Sequence, residues 1–113
     1  ALEHSYSKYN NSLINSNLLF LQRTSDLLNE KNIKLILINL PKKECYYDHY
    51  VKDVSENGKR ILHKFSRENL IVFIDLWEDT TFNNNDFIDN DHLNSKGAEK
   101  VIEIIDRYCE AYK

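Results

Sequence analysis

The residues best suited to chemistry are Asp89 and His92, which lie three positions apart just before an amphipathic segment near the C-terminus. A carboxylate at this spacing can accept a hydrogen bond from one nitrogen of the imidazole ring and so fix its tautomer. The second ring nitrogen can then take a proton from a nucleophile, which is the task of a general base. The spacing is therefore compatible with an orienting Asp89 and a catalytic His92.

The same loop also admits a purely structural interpretation. Acidic residues are favoured at the positive end of a helix, and His92 would then bond only to the backbone. Asp91 is the competing carboxylate, but an acid adjacent to the histidine points elsewhere in most backbone geometries, so we expect a helix-end or surface role. Asp75 ends a predicted strand and is expected to be a cap or a solvated acid, with a supporting role in the site as the alternative.

A divalent cation is the rival ligand for this loop. Three carboxylates and one imidazole lie close together in the sequence: Asp86, Asp89, Asp91 and His92. Such oxygen donors suit a hard cation, but the other three histidines lie in unrelated segments. We therefore predict no metal site.

The sequence DNDHLNSKGA at residues 89–98 resembles the last conserved block of the SGNH (GDSL-like) hydrolases, whose catalytic Asp and His form a D-x-x-H. The strand at 73–76, the lead-in Phe87-Ile88 and a strand at 33–41 that ends in a proline also look like that family. The resemblance implies that Asp89 and His92 are catalytic residues.

The resemblance further implies a flavodoxin-like α/β/α three-layer fold, of which residues 1–113 would form the C-terminal part. For the intact protein it implies a serine ester hydrolase or O-acyl transferase that needs no cofactor. Its substrate would be an ester-bearing small molecule or an acylated carbohydrate or cell-envelope polymer. A location at the bacterial cell envelope or outside the cytoplasm is suggested by the resemblance alone.

The nucleophile of that family is a serine in a Gly-Asp-Ser-like turn, and a glycine and an asparagine further on supply the oxyanion donors. Every serine of this chain lies instead on a predicted helix, cap or polar lead-in without a glycine turn. The chain also has no methionine and only two glycines, which is few for a complete α/β enzyme with tight turns. We therefore expect the C-terminal portion of one domain, inactive alone as an esterase.

Three helices are predicted to position the loop. Apolar residues recur at helical spacing over 11–31, 50–65 and 94–112, whereas residues 1–10 form a polar lead-in. Asn32 is typical of the left-handed residue that ends a helix. Either Asn94 or Ser95 can cap the last helix.

Two continuous apolar runs, 33–40 and 70–75, predict parallel strands of a βαβ unit, so the fold class is α/β. The long loop that follows, 77–88, is rich in Asn, Asp and Thr, and loops of this length are usually functional.

A sheet of two strands that are apolar on both faces is marginal in water, and its open edges favour association. We expect either that a missing N-terminal half supplies the neighbouring strands or that the chain forms a homodimer across the gap. The alternative function is a non-catalytic α/β interaction module that assembles through its sheet edge.

Composition bounds the remaining possibilities. The chain has 113 residues, 42% of them hydrophobic and 29% charged, which is typical of one globular domain. Its net charge of −3, with both signs mixed, gives no electrostatic footprint for nucleic acid or an anionic membrane. No apolar run reaches the roughly 20 residues of a transmembrane helix. Cys45 and Cys109 can pair or stay free; we favour unpaired cysteines, and the compartment stays undecided.

Overall fold

The computed structural model describes the backbone of residues 2–43 and 52–111 and the side chains of residues 12–43 and 56–111. Its elements are, in chain order, α1 (Leu2–Glu30), β1 (Ile36–Asn39), α2 (Lys52–Glu68), β2 (Val72–Asp75), a 3-10 turn (Asn84–Asp86) and α3 (Ser95–Glu110). The predicted α/β fold, with the order helix, strand, helix, strand, loop, helix, is confirmed.

The first helix starts nine residues before its predicted beginning at residue 11, so the prediction of a polar lead-in at residues 1–10 was wrong. No glycine or proline occurs between Leu2 and Glu30. Because adding a residue to an existing helix costs far less than nucleating one, the helix extends through a polar stretch that shows no apolar period.

Helices α1 and α2 end in the same way. Asn32 has a φ of 56° and Leu70 a φ of 54°, so both adopt the left-handed conformation. The following residue then donates its backbone N–H into the last turn, from Ile33 to the Leu28 carbonyl and from Ile71 to the Ser66 carbonyl, at 2.9 Å in each case. This is the Schellman arrangement, and the prediction for Asn32 is confirmed.

The two strands pair in parallel, with Ile36 opposite Val72 and Asn39 opposite Asp75. Each strand has four residues, fewer than the apolar runs predicted. Since Ile33 and Ile71 use their backbone N–H groups to close the preceding helix, neither residue is available to the strand ladder. The proline that follows β1, Pro41, is fully buried.

Helices α2 and α3 contact opposite faces of β2. Ile74 belongs to the core cluster that contains Val101 of α3. The neighbouring residue, Phe73, contacts the His63 ring of α2 at 4.7 Å between ring centroids. Because successive side chains of a strand point to opposite faces, the sheet lies between the two helices.

The core beside α3 extends from the sheet into the loop that carries Asp89 and His92. Ile74, Leu76 and Val101 are its buried members. Leu93, which directly follows His92, packs against them. The sheet core therefore fixes one end of the loop.

Candidate active site

The loop between Phe87 and Leu93 is closed by backbone hydrogen bonds. Phe87 and Leu93 form an antiparallel bridge, and the Ile88 N–H donates to the His92 carbonyl at 2.8 Å. The Asp89 carboxylate lies inside this turn, where its Oδ1 accepts the backbone N–H of Asp91 at 2.8 Å and that of His92 at 2.7 Å. Asp89 is thus held by the backbone of the residues that follow it.

The same carboxylate holds the imidazole. His92 Nδ1 lies 3.0 Å from both Asp89 Oδ1 and Asp89 Oδ2. Hydrogen bonding from the Asp91 backbone N–H, followed by the contact with the His92 ring, lowers the pKa of Asp89 below its ordinary value of 3.8. Asp89 is therefore ionised at neutral pH and can accept a hydrogen bond from the Nδ1–H of the His92 ring.

This arrangement directs the chemistry to the other nitrogen of the ring. With the proton on Nδ1, the Nε2 lone pair of His92 can accept a proton from an incoming group. The His92 side chain is 70% exposed and that of Asp89 56% exposed, so a second group can reach Nε2. The structure brings together the two residues that the sequence predicts as a pair.

The first turn of α3 ties the loop to the helix. Asn94 is the N-cap, and its side-chain oxygen accepts the Gly97 N–H at 3.1 Å. Its amide donates to the Asn85 carbonyl at 2.6 Å, and its backbone N–H donates to the Asp86 carbonyl at 2.9 Å. Of the two predicted caps, the structure selects Asn94 over Ser95.

Gly97 is required here by close packing. A Cβ built at Gly97 would overlap the Asp86 carbonyl oxygen and would come within 2.7 Å of a Leu93 methyl group. The loop and α3 therefore approach each other more closely than any residue with a side chain would allow. Leu93, Asn94 and Gly97 of the D-x-x-H-L-N-x-x-G pattern each place the His92 backbone against the helix.

An ion pair between a buried carboxylate and a partly exposed lysine fixes the other side of the loop. Asp86 is buried, and Lys100 Nζ contacts its Oδ2 at 2.7 Å. Asn83 donates its N–H to the same carboxylate at 2.9 Å, which forms a capping box with Asp86. The hydrogen bond from Lys100, followed by that from the Asn83 N–H, lowers the pKa of Asp86 although burial opposes the shift.

Asp91 points away from the imidazole, as predicted, but it is more than a surface acid. Its carboxylate forms an ion pair with Lys42 Nζ, which also contacts the Asp91 carbonyl at 3.3 Å. Lys43 donates its backbone N–H to the Asn90 carbonyl at 3.2 Å. These contacts attach the loop to the chain that leaves the carboxyl end of β1.

Asp75 has partners of its own at the end of β2. Its Oδ1 accepts hydrogen bonds from Asn39 Nδ2 at 3.0 Å and from the Trp77 N–H at 3.1 Å, and Lys59 Nζ lies 3.8 Å from its Oδ2. The Asp75 carboxylate therefore caps the edge of the sheet. Of the two roles predicted for it, cap or solvated acid, the structure supports the cap.

The four residues considered as cation ligands take part in three separate ion pairs or hydrogen-bonded pairs. Asp86 contacts Lys100, Asp91 contacts Lys42, and Asp89 contacts His92. Among the described side chains, those of residues 12–43 and 56–111, no three acidic, histidine or cysteine groups come together as a metal site.

A cleft of about 450 Å³ lies beside the loop. Lys42, which holds Asp91, and Phe87, which begins the loop, both line it. Its remaining walls come from the long loop after β2, including Asp79, Phe82 and Asn83. Ligand sites of α/β sheets gather at the carboxyl ends of the strands, and this cleft lies at that end.

No serine hydroxyl is hydrogen-bonded to His92 in the part of the chain that the structure describes. Ser66 donates its hydroxyl to the Leu62 carbonyl at 2.7 Å within α2, and Ser25 is buried on α1. Cys45 lies outside the described residues, and Cys109 is exposed on α3.

Lys42 and Lys100 anchor the loop, and neither was predicted from the sequence. Asn83 and Asp86 show the three-residue spacing of a capping box, which is a usable signal in the sequence. Lys42 lies 49 residues from Asp91, and no local pattern indicates such a pair.

A model of an uncharacterised protein family matches residues 4–111. Because this match covers nearly the whole chain, the protein belongs to that family. No curated protein and no solved structure matches the chain. None of the described helices has an apolar stretch suited to crossing a membrane.

Proposed function

We propose that this chain supplies the Asp89–His92 pair of an SGNH-type serine ester hydrolase or O-acyl transferase. The observation that carries the proposal is the contact of His92 Nδ1 with both Asp89 oxygens at 3.0 Å, in a loop closed by its own backbone. The resemblance of residues 89–98 to the last SGNH block supports the same assignment.

The geometry suits a base that is aligned in advance. Asp89 is ionised and is itself held by two backbone N–H groups, so the imidazole is already oriented before a substrate binds. A residue held in this way contributes to catalysis because the proton acceptor is already in place when the nucleophile attacks.

The proposed reaction has two steps. His92 Nε2 takes the proton of a serine hydroxyl as the serine oxygen attacks the ester carbonyl carbon, and the imidazolium then gives this proton to the departing alcohol. Water, or a second alcohol for a transferase, attacks the acyl-enzyme in the same way and releases the acid or the new ester. Asp89 stabilises the imidazolium in both steps without taking its proton.

The nucleophile and the oxyanion donors of this proposal come from a further part of the domain. The substrate class proposed from the resemblance is an ester-bearing small molecule or an acylated carbohydrate or cell-envelope polymer. The cleft beside the loop, at the carboxyl end of the sheet, is large enough for part of such a substrate.

The test is hydrolysis of a short acyl ester by the full-length protein. His92→Ala is expected to reduce kcat/KM by about a thousandfold or more, because the proton acceptor is removed. His63→Ala is the matched control, since His63 is also exposed but lies on α2, where its ring contacts that of Phe73. Equal losses in the two variants, or full activity of His92→Ala, would reject the proposal.

The second candidate is a non-catalytic module that assembles through its sheet. The observation that favours it is the two-stranded sheet, in which each described strand has a neighbour on one side only. The coding sequence that precedes Ala1 separates the candidates. A Gly-Asp-Ser-type block there supports the enzyme, whereas a start codon or an unrelated domain supports the module.

A further inference from the structure

The loop that carries His92 contains two carboxylates, and only one of them contacts the ring. Asp89 contacts Nδ1, whereas the carboxylate of Asp91, the immediate neighbour of His92, contacts Lys42. An unpaired carboxylate next to the imidazole would be a second acceptor for a ring N–H. In this structure Asp91 does not take that role, because its carboxylate is bound by Lys42.

The backbone around Lys42 positions this residue to bind the Asp91 carboxylate. The buried Pro41 fixes the backbone immediately before it. The Lys42 N–H donates to the Trp77 carbonyl at 3.5 Å, and the next N–H, that of Lys43, donates to Asn90 at 3.2 Å. The segment that carries Lys42 is thus bonded both to the end of β2 and to the loop.

The ion pair is also partly shielded from water. The Lys42 side chain is 21% exposed and that of Asp91 43% exposed. Lys42 Nζ contacts both the carboxylate and the carbonyl of Asp91, so it fixes the backbone of that residue as well as its side chain. A surface lysine held by one carboxylate would exert much less control.

We propose that Lys42 is a positioning residue for His92: by binding Asp91 it leaves Asp89 as the only loop carboxylate that holds the ring. Lys42 acts through Asp91 and does not itself touch the reacting atoms. Its importance for catalysis rests on the proposed function, whereas its control of the ring tautomer does not.

The tautomer is read by nitrogen NMR of the full-length protein labelled with [15N]histidine, with the His92 signals assigned by their loss in His92→Gln. The wild type is expected to show a protonated Nδ1 and an unprotonated Nε2 above the titration range of the ring. Lys42→Met is expected to show a mixture of tautomers, and Lys42→Arg to restore the wild-type signals because it keeps the charge. Lys43→Met is the matched control and should leave the signals unchanged.

The decisive variant is Lys42→Met combined with Asp91→Asn. It removes the competing carboxylate together with its partner, so the wild-type tautomer should return and no unpaired charge is left. If Lys42→Met fails to fold, as judged by the near-ultraviolet circular dichroism of Trp77, Lys42→Gln takes its place. Wild-type signals in the folded single variant, or no recovery in the double variant, would overturn the proposal.

Activity gives a second readout. For hydrolysis of a short acyl ester, Lys42→Met should lower kcat by about tenfold with little change in KM, because the base is misaligned while substrate binding persists. The double variant should recover that loss. If His92→Ala retains full hydrolysis, the proposed function fails, and the NMR series still decides the role of Lys42.

Discussion

Asp89 and Asp91 are both carboxylates of one short loop, and their different partners give them different tasks. Asp89 holds the His92 ring, whereas Asp91 binds Lys42 and joins the loop to the chain after β1. The backbone fixes Asp89, since the N–H groups of Asp91 and His92 both donate to its carboxylate, whereas Lys42 holds Asp91. Exchanging either carboxylate for an amide therefore tests one task at a time.

Asp89→Asn should lower kcat for ester hydrolysis by a factor of the order of a thousand, because the amide cannot stabilise the imidazolium and can favour the wrong tautomer. Asp91→Asn should change kcat by less than about threefold, because Lys42 can still bond the Asp91 carbonyl. Steady-state kinetics of the two variants in the full-length protein measure the difference. If the two variants exchange behaviour, the assignment within the loop is wrong.

The lowered pKa of Asp86 predicts that the free energy of unfolding decreases at acidic pH. Its pKa is lowered in the folded protein by Lys100 and the Asn83 N–H, so the ionised form stabilises the fold at every pH above the ordinary value of 3.8. This contribution is lost as the pH falls below 3.8 and through the lowered pKa. Asp86→Asn should cost about 2 kcal/mol at pH 7 and should lose that part of the acid dependence.

Urea unfolding of Asp86→Asn at pH 7 and at pH 3 measures this effect. Asp106→Asn, which removes an exposed carboxylate from the same helix as Lys100, controls for the change in net charge. Equal destabilisation of the Asp86 variant at both pH values would contradict the linkage.

Helix α3 meets the loop at Gly97, where the backbone of Asp86 leaves no room for a side chain. Gly97→Ala should therefore destabilise the protein by about 1–3 kcal/mol, because the loop must move or α3 must shift. Gly58→Ala is the matched control. Gly58 lies inside α2, and apart from the neighbouring backbone of that helix no described atom lies within 4 Å of a built Cβ, so the alanine should stabilise by about 0.5–1 kcal/mol.

Urea unfolding distinguishes the two glycines by the sign of the change. A stabilising Gly97→Ala would show that the loop does not pack on α3 as described.

Helices α1 and α2 are each followed by a residue in the left-handed conformation, which is Asn32 after α1 and Leu70 after α2. Leu70 has a φ of 54° and is 95% exposed, so its side chain contributes strain and almost no buried contact. Leu70→Asn should raise the free energy of unfolding by about 0.5–1 kcal/mol. The reciprocal change, Asn32→Leu, should lower it by a similar amount, and thermal unfolding of both variants measures the pair. A destabilising Leu70→Asn would mean that Leu70 has a packing partner.

The described part of the chain buries little apolar surface for its length. Five hydrophobic residues are buried in the described part, whereas large apolar side chains such as Phe20 and Ile88 are 61% and 74% exposed. The radius of gyration is 16.1 Å, against about 13 Å for a compact chain of this length. Extended shape, exposed apolar surface and a two-stranded sheet together favour contacts with further protein.

The 113-residue chain produced alone is therefore expected to associate as its concentration rises and to show no hydrolysis of a short acyl ester. Association follows from the unpaired strand edges and the exposed apolar residues, and inactivity from the absence of a serine in a glycine turn. Sedimentation velocity over a hundredfold range of concentration measures the first, and an esterase assay the second. A monomer at all concentrations, or measurable turnover dependent on His92, would contradict these expectations.

The sequence alone determined the order of the elements, the left-handed end of α1 at Asn32 and the pairing of Asp89 with His92. Each of these depends on residues close in sequence: apolar periodicity, a cap residue, or a three-residue spacing inside a turn. The tertiary structure alone decided which lysines hold the loop and which carboxylate is buried. Lys42 and Asp91 are 49 positions apart in the sequence, and Asn39 and Asp75 are 36 positions apart. Such pairs form only after the strands align and α3 packs, because no local interaction brings the partners together.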